Sequence, residues 1–483
     1  MPYNIAMVSD NFFPQPGGVE SHMYQLASKL VDRGHKVIIV THAYPGRTGI
    51  RYLTNGIKTY HVPFWTIYRE TTFPTVFSFF PMFRNIVIRE RIEIVHGHAS
   101  LSNLCHEAIL HARTMGLRTV FTDHSLFGFA DAGSILTNKL LKFTLSDVDH
   151  CICVSHTCKE NCVLRADLDP SMVSVIPNAV VADNFRPLSQ NTTESRSPSA
   201  PGPPRPLGPS DDITIVVISR LFYNKGIDLL IAAIPRILAN QPHVRFIVAG
   251  SGPKAIDFEQ MVERNVLQDR VTLLGPVRHE QVRDVMVRGQ IYLNPSLMEA
   301  FGTVIVEAAS CGLYVVCTRV GGVPEVLPSH MTEFAAPEVD DLVAATNRAI
   351  EKIRSGKVRT DLFHNQVKQM YSWTDVAQRT ERIYDEVSTN RSLALIDRLK
   401  RYYGCGVWAG KLFVMCAVVD FLLFIFLEIF APRERIDICK DWPKKAFNKD
   451  SKEEERNNPK SDVISRKRSP RHRRRKGQET DGS

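Results

Sequence analysis

N-P-S-L-M-E-A-F-G-T-V-I-V-E, residues 294–307, joins the end of a strand to the start of a helix. Gln290 to Asn294 carries an alternating apolar pattern, Pro295 and Ser296 break it, and Thr303 to Ser310 has the composition of a buried helix despite its β-branched run. Glu299 is therefore expected in the loop at the positive end of that helix, with Glu307 about two turns in. At about 100° and 1.5 Å of rise per residue, the two carboxylates lie off a common stripe and roughly 12 Å apart. That is too far for a shared proton or one bridging water. The pair reads as two hydrogen-bonding duties along one extended ligand, not as a general acid and base. Alone, two glutamates at this spacing would be an ordinary surface pattern, and the surrounding chain gives them weight.

The same strand-then-helix unit recurs on both sides. Downstream of residue 212, strands are expected at Ile213–Ser219, Arg245–Ala249 (ending in G-S-G-P), Val271–Leu274 and Leu313–Thr318, with a helix carried by Lys225–Asn240. Upstream, Tyr3–Ser9 is a strand, Asp10–Glu20 a loop containing P-Q-P-G-G-V-E, and Ser21–Arg33 an amphipathic helix. Lys36–Thr41, Ile92–His98, Arg118–Asp123, Cys151–Ser155 and Val173–Pro177 continue the strands. This alternation predicts an α/β chain of two Rossmann-like β/α/β domains, residues 1–185 and 212–371, whose ligands gather at the carboxyl ends of parallel strands. Between them, residues 186–211 hold seven prolines and read as an extended linker. No G-x-G-x-x-G follows the first strand, which argues against a dinucleotide-dependent dehydrogenase.

Several side chains fall where a ligand would sit. Gly17 and Gly18 let a ligand approach backbone N–H groups at a helix start. His96, His98, Asp123 and His124 end strands, and His124, in T-D-H-S, stands just past one. The histidines come from separate strands without metal-ligand spacing, so no metal is expected. Arg220 and Lys225, in S-R-L-F-Y-N-K-G, place two cations at the mouth of a sheet. A guanidinium and an ammonium five residues apart suit a diphosphate, and fixed cations stabilise the charge that a leaving diphosphate gains, without a metal. Cys151, Cys153, Cys158 and Cys162 cluster without a second ligand pair, as reduced thiols would.

Taken together, G-G-V-E at 17–20, S-R-L-x-x-x-K-G at 219–226, G-S-G-P at 250–253 and E-A-F-G-x-x-x-x-E at 299–307 resemble the retaining nucleotide-sugar glycosyltransferases of the GT-B type, family-four group. The likeness covers residues 3–390. T-D-H-S-L-F-G-F-A-D at 122–131, V-S-V-I-P-N-A-V at 173–180 and T-R-V-G-G-V-P-E-V-L at 318–327 narrow it to the branch that passes N-acetylglucosamine from UDP-GlcNAc to phosphatidylinositol, the first step of GPI-anchor biosynthesis. The resemblance implies that Arg220 and Lys225 hold the UDP diphosphate, Glu299 the donor sugar hydroxyls and Glu307 the ribose. It gives backbone N–H groups at Phe301, Gly302 and Thr303 to the phosphates, with Gly250 and Gly252 nearby. It sets Gly17, Gly18 and Glu20 opposite, and turns His124 toward sugar and acceptor. It also implies UDP-GlcNAc as substrate with no cofactor, retention through an oxocarbenium-like same-face displacement, and a helix within 372–400 crossing back to the first domain. The long linker and Leu313, where many relatives carry proline, depart from the pattern without touching this chemistry. The competing readings are another donor or lipid acceptor, such as mannosyl transfer, and a non-catalytic nucleotide-binding subunit.

The chain's formal charge of +9 is mostly in its tail, since residues 433–483 hold 17 Lys/Arg against 10 Asp/Glu. The body is nearly neutral, and R-K-R-S-P-R-H-R-R-R-K at 466–476 lacks the aromatic interleaving of a nucleic-acid surface, so residues 431–483 read as a basic disordered tail and no nucleic acid is expected. Between 412 and 427, fifteen of sixteen residues are apolar, broken by Asp420. Residues 407–430 are long enough to cross a roughly 30 Å hydrocarbon core, and Asp420 is expected to face a partner helix or be protonated. The amino terminus shows no basic leader or long apolar run. The expected setting is the endoplasmic reticulum membrane, single-pass, with the catalytic body cytosolic and membrane-embedded subunits of a GPI-GlcNAc transferase complex as partners.

Overall fold

The computed structural model describes residues 2–15, 17–66, 71–129, 131–188, 208, 211–390 and 393–440. The chain divides into two units, 1–439 and 440–483, and the first carries the fold. Most of the proline-rich linker and the basic tail from 441 onward lie outside the described residues.

The amino-terminal half runs β1 (Asn4–Val8), α1 (Gly18–Asp32), β2 (Lys36–His42), β3 (Gly49–Tyr52), β4 (Lys58–Val62), α2 (Phe80–Glu90), β5 (Ile94–His98), α3 (Asn103–Thr114), β6 (Arg118–Asp123), α4 (Ala132–Leu145), β7 (His150–Cys153), α5 (His156–Ala166) and β8 (Val173–Val175). Its strands form one sheet in the order β3-β4-β2-β1-β5-β6-β7-β8, parallel except at the β3–β4 edge. The second half runs β9 (Ile213–Ile218), α6 (Ile227–Asn240), β10 (Val244–Ala249), α7 (Ala255–Arg264), β11 (Val271–Gly275), α8 (His279–Met286), β12 (Ile291–Asn294), α9 (Thr303–Ser310), β13 (Tyr314–Thr318), β14 (Thr332–Ala335), α10 (Val339–Arg354) and α11 (Phe363–Met370). Its six strands are all parallel, ordered β11-β10-β9-β12-β13-β14. Strand order reverses beside β1 and beside β9, and a crevice opens at such switch points. The loops after β1, β6, β9, β10 and β12 carry the candidate residues.

One boundary and one placement differ from expectation. Helix α1 opens at Gly18, not Ser21, so Glu20 lies in its first turn. Helix α9 spans Thr303–Ser310 as expected, but Glu307, four residues from its start, is one turn in, not two. The edge strand β3 is exposed throughout and carries no alternation, so its sequence gives no strand signal.

Helix α12 (Trp373–Thr389) leaves the second domain and crosses back, as expected. Its Trp373, Val376, Ala377, Ile383, Tyr384 and Val387 join the core formed by Ile5, Met7, Leu26 and Ile94 of the first domain. Arg33 pairs with Glu381, and the Tyr384 hydroxyl lies 2.7 Å from His96 Nδ1. Two further helices follow, α13 (Leu395–Tyr403) and α14 (Ala409–Phe430). Helix α14 is long and apolar enough to cross a membrane. One stripe of it, with Gly410, Ala417 and Asp420 buried, lies on the first domain. The partner of Asp420 is the chain's own α3, through His111 Nδ1 at 2.7 Å.

Candidate active site

The donor side is built by backbone crowding. After β9 the chain turns through Ser219–Leu221 against Gly250–Gly252, where the Leu221 N–H donates to the Ser251 carbonyl at 2.8 Å and the Lys254 N–H to that of Leu221 at 3.1 Å. A Cβ on Gly250 would meet the Ser219 carbonyl oxygen, and one on Gly252 that of Leu221. The G-S-G-P glycines thus have a packing duty: they let the Arg220 loop settle on the sheet end. Arg220 is exposed; its carbonyl accepts from the Phe222 N–H at 2.9 Å, and its guanidinium makes no hydrogen bond or salt bridge among the described residues. Lys225 ends a 3-10 turn, and Gly226 (φ +69°) redirects the chain into α6. A side chain on Gly226 would strike the Pro295 carbonyl, so this close approach holds the two motif loops together. Gly226→Ala is expected to destabilise the protein by about 2 kcal/mol or more, lowering the thermal midpoint by about 4–8 °C, as scanning calorimetry would show.

That approach brings Lys225 to Glu299. The ammonium and carboxylate, from loops after β9 and β12, form an ion pair, both side chains about one-fifth exposed. The Gly322 N–H donates to the Glu299 carbonyl at 3.0 Å, fixing the loop from the R-V-G-G-V-P-E side. Gly302 (φ +82°) is the N-cap of α9, an end that leaves first-turn N–H groups free for a ligand, apart from that of Ile305, which donates to the Gly302 carbonyl at 2.9 Å. The Phe301 side chain is core, edge-on to Tyr371 at 5.7 Å between ring centroids, so only its backbone is available to a ligand. Glu307 is buried, and burial pushes its carboxyl up to about 7. Both Glu299 and Glu307 act electrostatically on buried Tyr292, whose hydroxyl donates to the Ile218 carbonyl at 3.0 Å.

Across the crevice, Gly17 is extended, and a Cβ there would fall on the Glu20 carboxylate. Glu20 thus folds back over the start of α1, while Gly18 faces open space. Burial raises the Glu20 carboxyl, and the field of Arg220 opposes that shift, so the two residues face each other from different domains. His124 joins a histidine stack: His98 Nδ1 lies 3.3 Å from His124 Nε2, the His22 ring centroid 4.6 Å from that of His124, and His22 Nδ1 2.8 Å from Asn178 Oδ1. Burial, then repulsion by the neighbouring histidines, holds His124 far below the ordinary imidazole range. It is neutral at physiological pH. Ligand nitrogens of His22, His98 and His124 lie within 4.8 Å of one another, as do the sulfurs of Cys151, Cys153 and Cys162. His98 pairs with His124 and His22 with Asn178, while Nε2 of His22 and of His98 is buried without a hydrogen-bond partner among the described residues; the Cys151 and Cys162 sulfurs approach to 3.8 Å as buried thiols.

Two contributors carry no signal that the sequence reading picked up. Asp10, after β1, is fully buried and accepts from the Thr72 N–H (3.1 Å), the Thr72 hydroxyl (3.0 Å) and the Asn103 N–H (2.9 Å), while burial pushes it up to about 7. Glu325 reaches across from the second domain to the start of α5, accepting from the N–H groups of His156 (2.7 Å) and Thr157 (2.9 Å). A carboxylate on a helix N-terminus is stabilised by its dipole, which makes Glu325 a clasp between the halves. With the Ser155 hydroxyl donating to the Ala300 carbonyl at 2.7 Å, this contact holds the E-A-F-G loop against the first domain. The signal available was V-P-E in the R-V-G-G-V-P-E loop. Glu325→Ala is expected to raise the donor KM about threefold to tenfold, with kcat little changed, in initial-rate kinetics.

The arrangement matches known proteins over most of its length. The family described as PIGA (GPI anchor biosynthesis) matches residues 42–131, and glycosyl transferases group 1 matches 212–352. The phosphatidylinositol N-acetylglucosaminyltransferase gpi3 subunit of Schizosaccharomyces pombe is 65% identical over 441 residues, covering 91% of this chain and 93% of that one. The corresponding subunit of the same enzyme from Homo sapiens is 51% identical, with 91% of this chain and 88% of the human one covered. Among solved structures, sucrose-phosphate synthase from Thermosynechococcus elongatus superposes with a TM-score of 0.64 at 21% identity, over 80% of this chain and 99% of that one. Anabaena HepE in complex with UDP and glucose gives 0.59 at 18%, over 80% of this chain and all of that one. These two establish the GT-B glycosyltransferase fold, two facing Rossmann-like domains. The chain belongs to the PIGA/GPI3 family of phosphatidylinositol N-acetylglucosaminyltransferases, glycosyltransferases of GPI-anchor biosynthesis.

Proposed function

We propose that this chain is the catalytic subunit that transfers N-acetylglucosamine from UDP-GlcNAc to an inositol hydroxyl of phosphatidylinositol. The observation that carries the reading is the meeting of Lys225 and Glu299 in one ion pair at a switch point between the two domains, with the guanidinium of Arg220, in the same loop as Lys225, left without a partner among the described residues. Arg220 and Lys225 grip the diphosphate and take up charge as it leaves, with the N–H groups of Phe301, Gly302 and Thr303 completing the cradle. Freed from part of its contact with Lys225, Glu299 accepts from the sugar hydroxyls, and Glu307 from the ribose. Glu20 and Gly18 close over the diphosphate from the first domain. Neutral His124 faces the sugar and acceptor as a hydrogen-bonding group. Closure excludes the water that would otherwise hydrolyse the donor. The departing oxygen lies on the face the acceptor hydroxyl attacks, which gives retention, and the two cations do the work a metal does elsewhere. The family's printed names call their members subunits, and membrane-embedded partners at the endoplasmic reticulum, with the catalytic body cytosolic, fit a lipid acceptor and an apolar α14.

Microsomes carrying the wild-type chain are expected to convert UDP-GlcNAc and phosphatidylinositol to the N-acetylglucosaminyl lipid, and those carrying Glu299→Ala are not. Equal product from both would overturn the assignment.

A further inference from the structure

Helix α14 has two faces. Its inner stripe is docked: the Phe413 ring centroid is 4.7 Å from that of Phe143, Phe424 stacks at 6.3 Å on Phe80, Asp420 binds His111, and Glu428 accepts from Arg84 at 2.8 Å. Its outer stripe, Leu412, Met415, Val419, Leu422, Phe426 and Ile429, is 41–66% exposed. No charged side chain interrupts it, because Asp420 points inward. At about 1.5 Å per residue, that is roughly 27 Å of uninterrupted apolar surface.

A second apolar group lies on the segment between β4 and α2, where Trp65 is 88% exposed, Phe73 59% and Val76 73%. This segment is tied to both the crevice and α14. Thr72 donates to Asp10, beneath the loop after β1. The Thr75 N–H donates to Glu107 at 2.7 Å, and Glu107 lies 3.9 Å from His111, the residue that holds Asp420. Phe77 turns inward onto the cluster of Leu110, Phe413 and Val414. Val76 (φ +49°) and Phe77 (φ +69°) are both left-handed, a conformation that costs a β-branched or aromatic residue on the order of 1–3 kcal/mol. The exposure of Val76 is therefore held in place by its neighbours and is not a relaxed default.

We propose that Trp65, Phe73 and Val76 together with the outer face of α14 form one bilayer-seating surface, latched by the Glu107–His111–Asp420 chain, through which the lipid acceptor reaches the crevice beside Asp10. The proposal rests on the lipid acceptor named under the proposed function. Hydrocarbon is the occupant that suits a long charge-free stripe. At its start Trp408 is 82% exposed with the Lys411 ammonium 5.4 Å from the ring centroid, the aromatic and basic pairing of a membrane interface. A protein interface of that length would carry polar groups at its rim.

The test uses the full-length chain in the assembly purified from microsomes, in phosphatidylcholine vesicles containing long-chain phosphatidylinositol, or with monomeric dihexanoyl phosphatidylinositol in solution. The triple variant Trp65→Ser, Phe73→Ser, Val76→Ser is expected to raise the KM for the vesicle-borne acceptor about tenfold and leave kcat/KM for the short-chain acceptor unchanged. Asp420→Leu, which breaks the latch but keeps the helix apolar, is expected to stay with the vesicles and show the same selective rise. Separately, Phe73→Trp adds emission expected to be quenched by phosphatidylcholine with brominated acyl chains. An unchanged vesicle KM, an equal loss for both acceptors, loss of a co-purifying subunit, or unquenched emission would each overturn the proposal. A wild type inactive on both acceptors, with the Phe73→Trp emission still quenched, would sink the transferase reading and keep the seating surface.

Discussion

Lys225→Ala is expected to lower kcat about a hundredfold to a thousandfold, which corresponds to about 2.7–4 kcal/mol of lost transition-state stabilisation. The ammonium stands beside the position assigned to the leaving diphosphate, where negative charge grows as the glycosidic bond breaks. Loss of Lys225 also leaves the Glu299 carboxylate without its ion-pair partner, and that uncompensated charge would repel the donor's phosphates. Lys225→Arg restores charge but not geometry, because the planar guanidinium is bulkier than an ammonium and Glu299 sits within contact distance. It is expected to recover less than a tenth of the activity. Single-turnover kinetics with radiolabelled UDP-GlcNAc separates this loss in the chemical step from any change in donor binding.

Glu307→Gln is expected to abolish the pH dependence of donor affinity. Burial pushes the Glu307 carboxyl up to about 7, so in the free enzyme the carboxylate that would accept from the ribose hydroxyls forms only as pH rises through neutrality. Between pH 6 and pH 8 its ionised fraction rises about tenfold, and the donor KM is expected to fall by roughly that factor. The glutamine variant should show a flat, high KM across the same range. Stability moves the other way. With the folded value above the unfolded one, Glu307 is protonated in the folded chain and ionised in the unfolded chain between about pH 4.5 and 7, so its contribution falls as pH rises through that window and then levels off. Glu307→Gln removes that slope as well, which thermal midpoints measured from pH 5 to 8 would show.

The two-domain architecture was legible because each parallel strand is a short apolar run followed by helical spacing, and the glycine-rich turns mark where the backbone must come close. Arg220, Lys225, Glu299 and Glu307 were legible as types and spacings. Their convergence was not, because it depends on Gly226 meeting Pro295 and on β9 lying beside β12 in the sheet. Helix α1 begins three residues earlier than its sequence suggests because Gly17 and Gly18 have the composition of a turn, although the second of them starts the helix. Asp10 and Glu325 are hard to single out because their partners, Thr72 and Asn103 in one case and His156 and Thr157 in the other, are far away in sequence. Nothing in a periodic pattern encodes such pairings. The histidine stack is similar: His98 and His124 by strand ends and His22 on α1 are far apart in sequence, and only packing brings His22 against His124.

Calorimetric titration of UDP and of uridine onto the wild-type assembly and the Lys225→Ala variant tests most directly whether cations at this switch point hold a nucleotide's diphosphate. The wild type should bind UDP at least about a hundredfold more tightly than uridine, and the variant should lose most of that difference while its uridine affinity stays the same. A variant that binds UDP as tightly as the wild type would contradict the account.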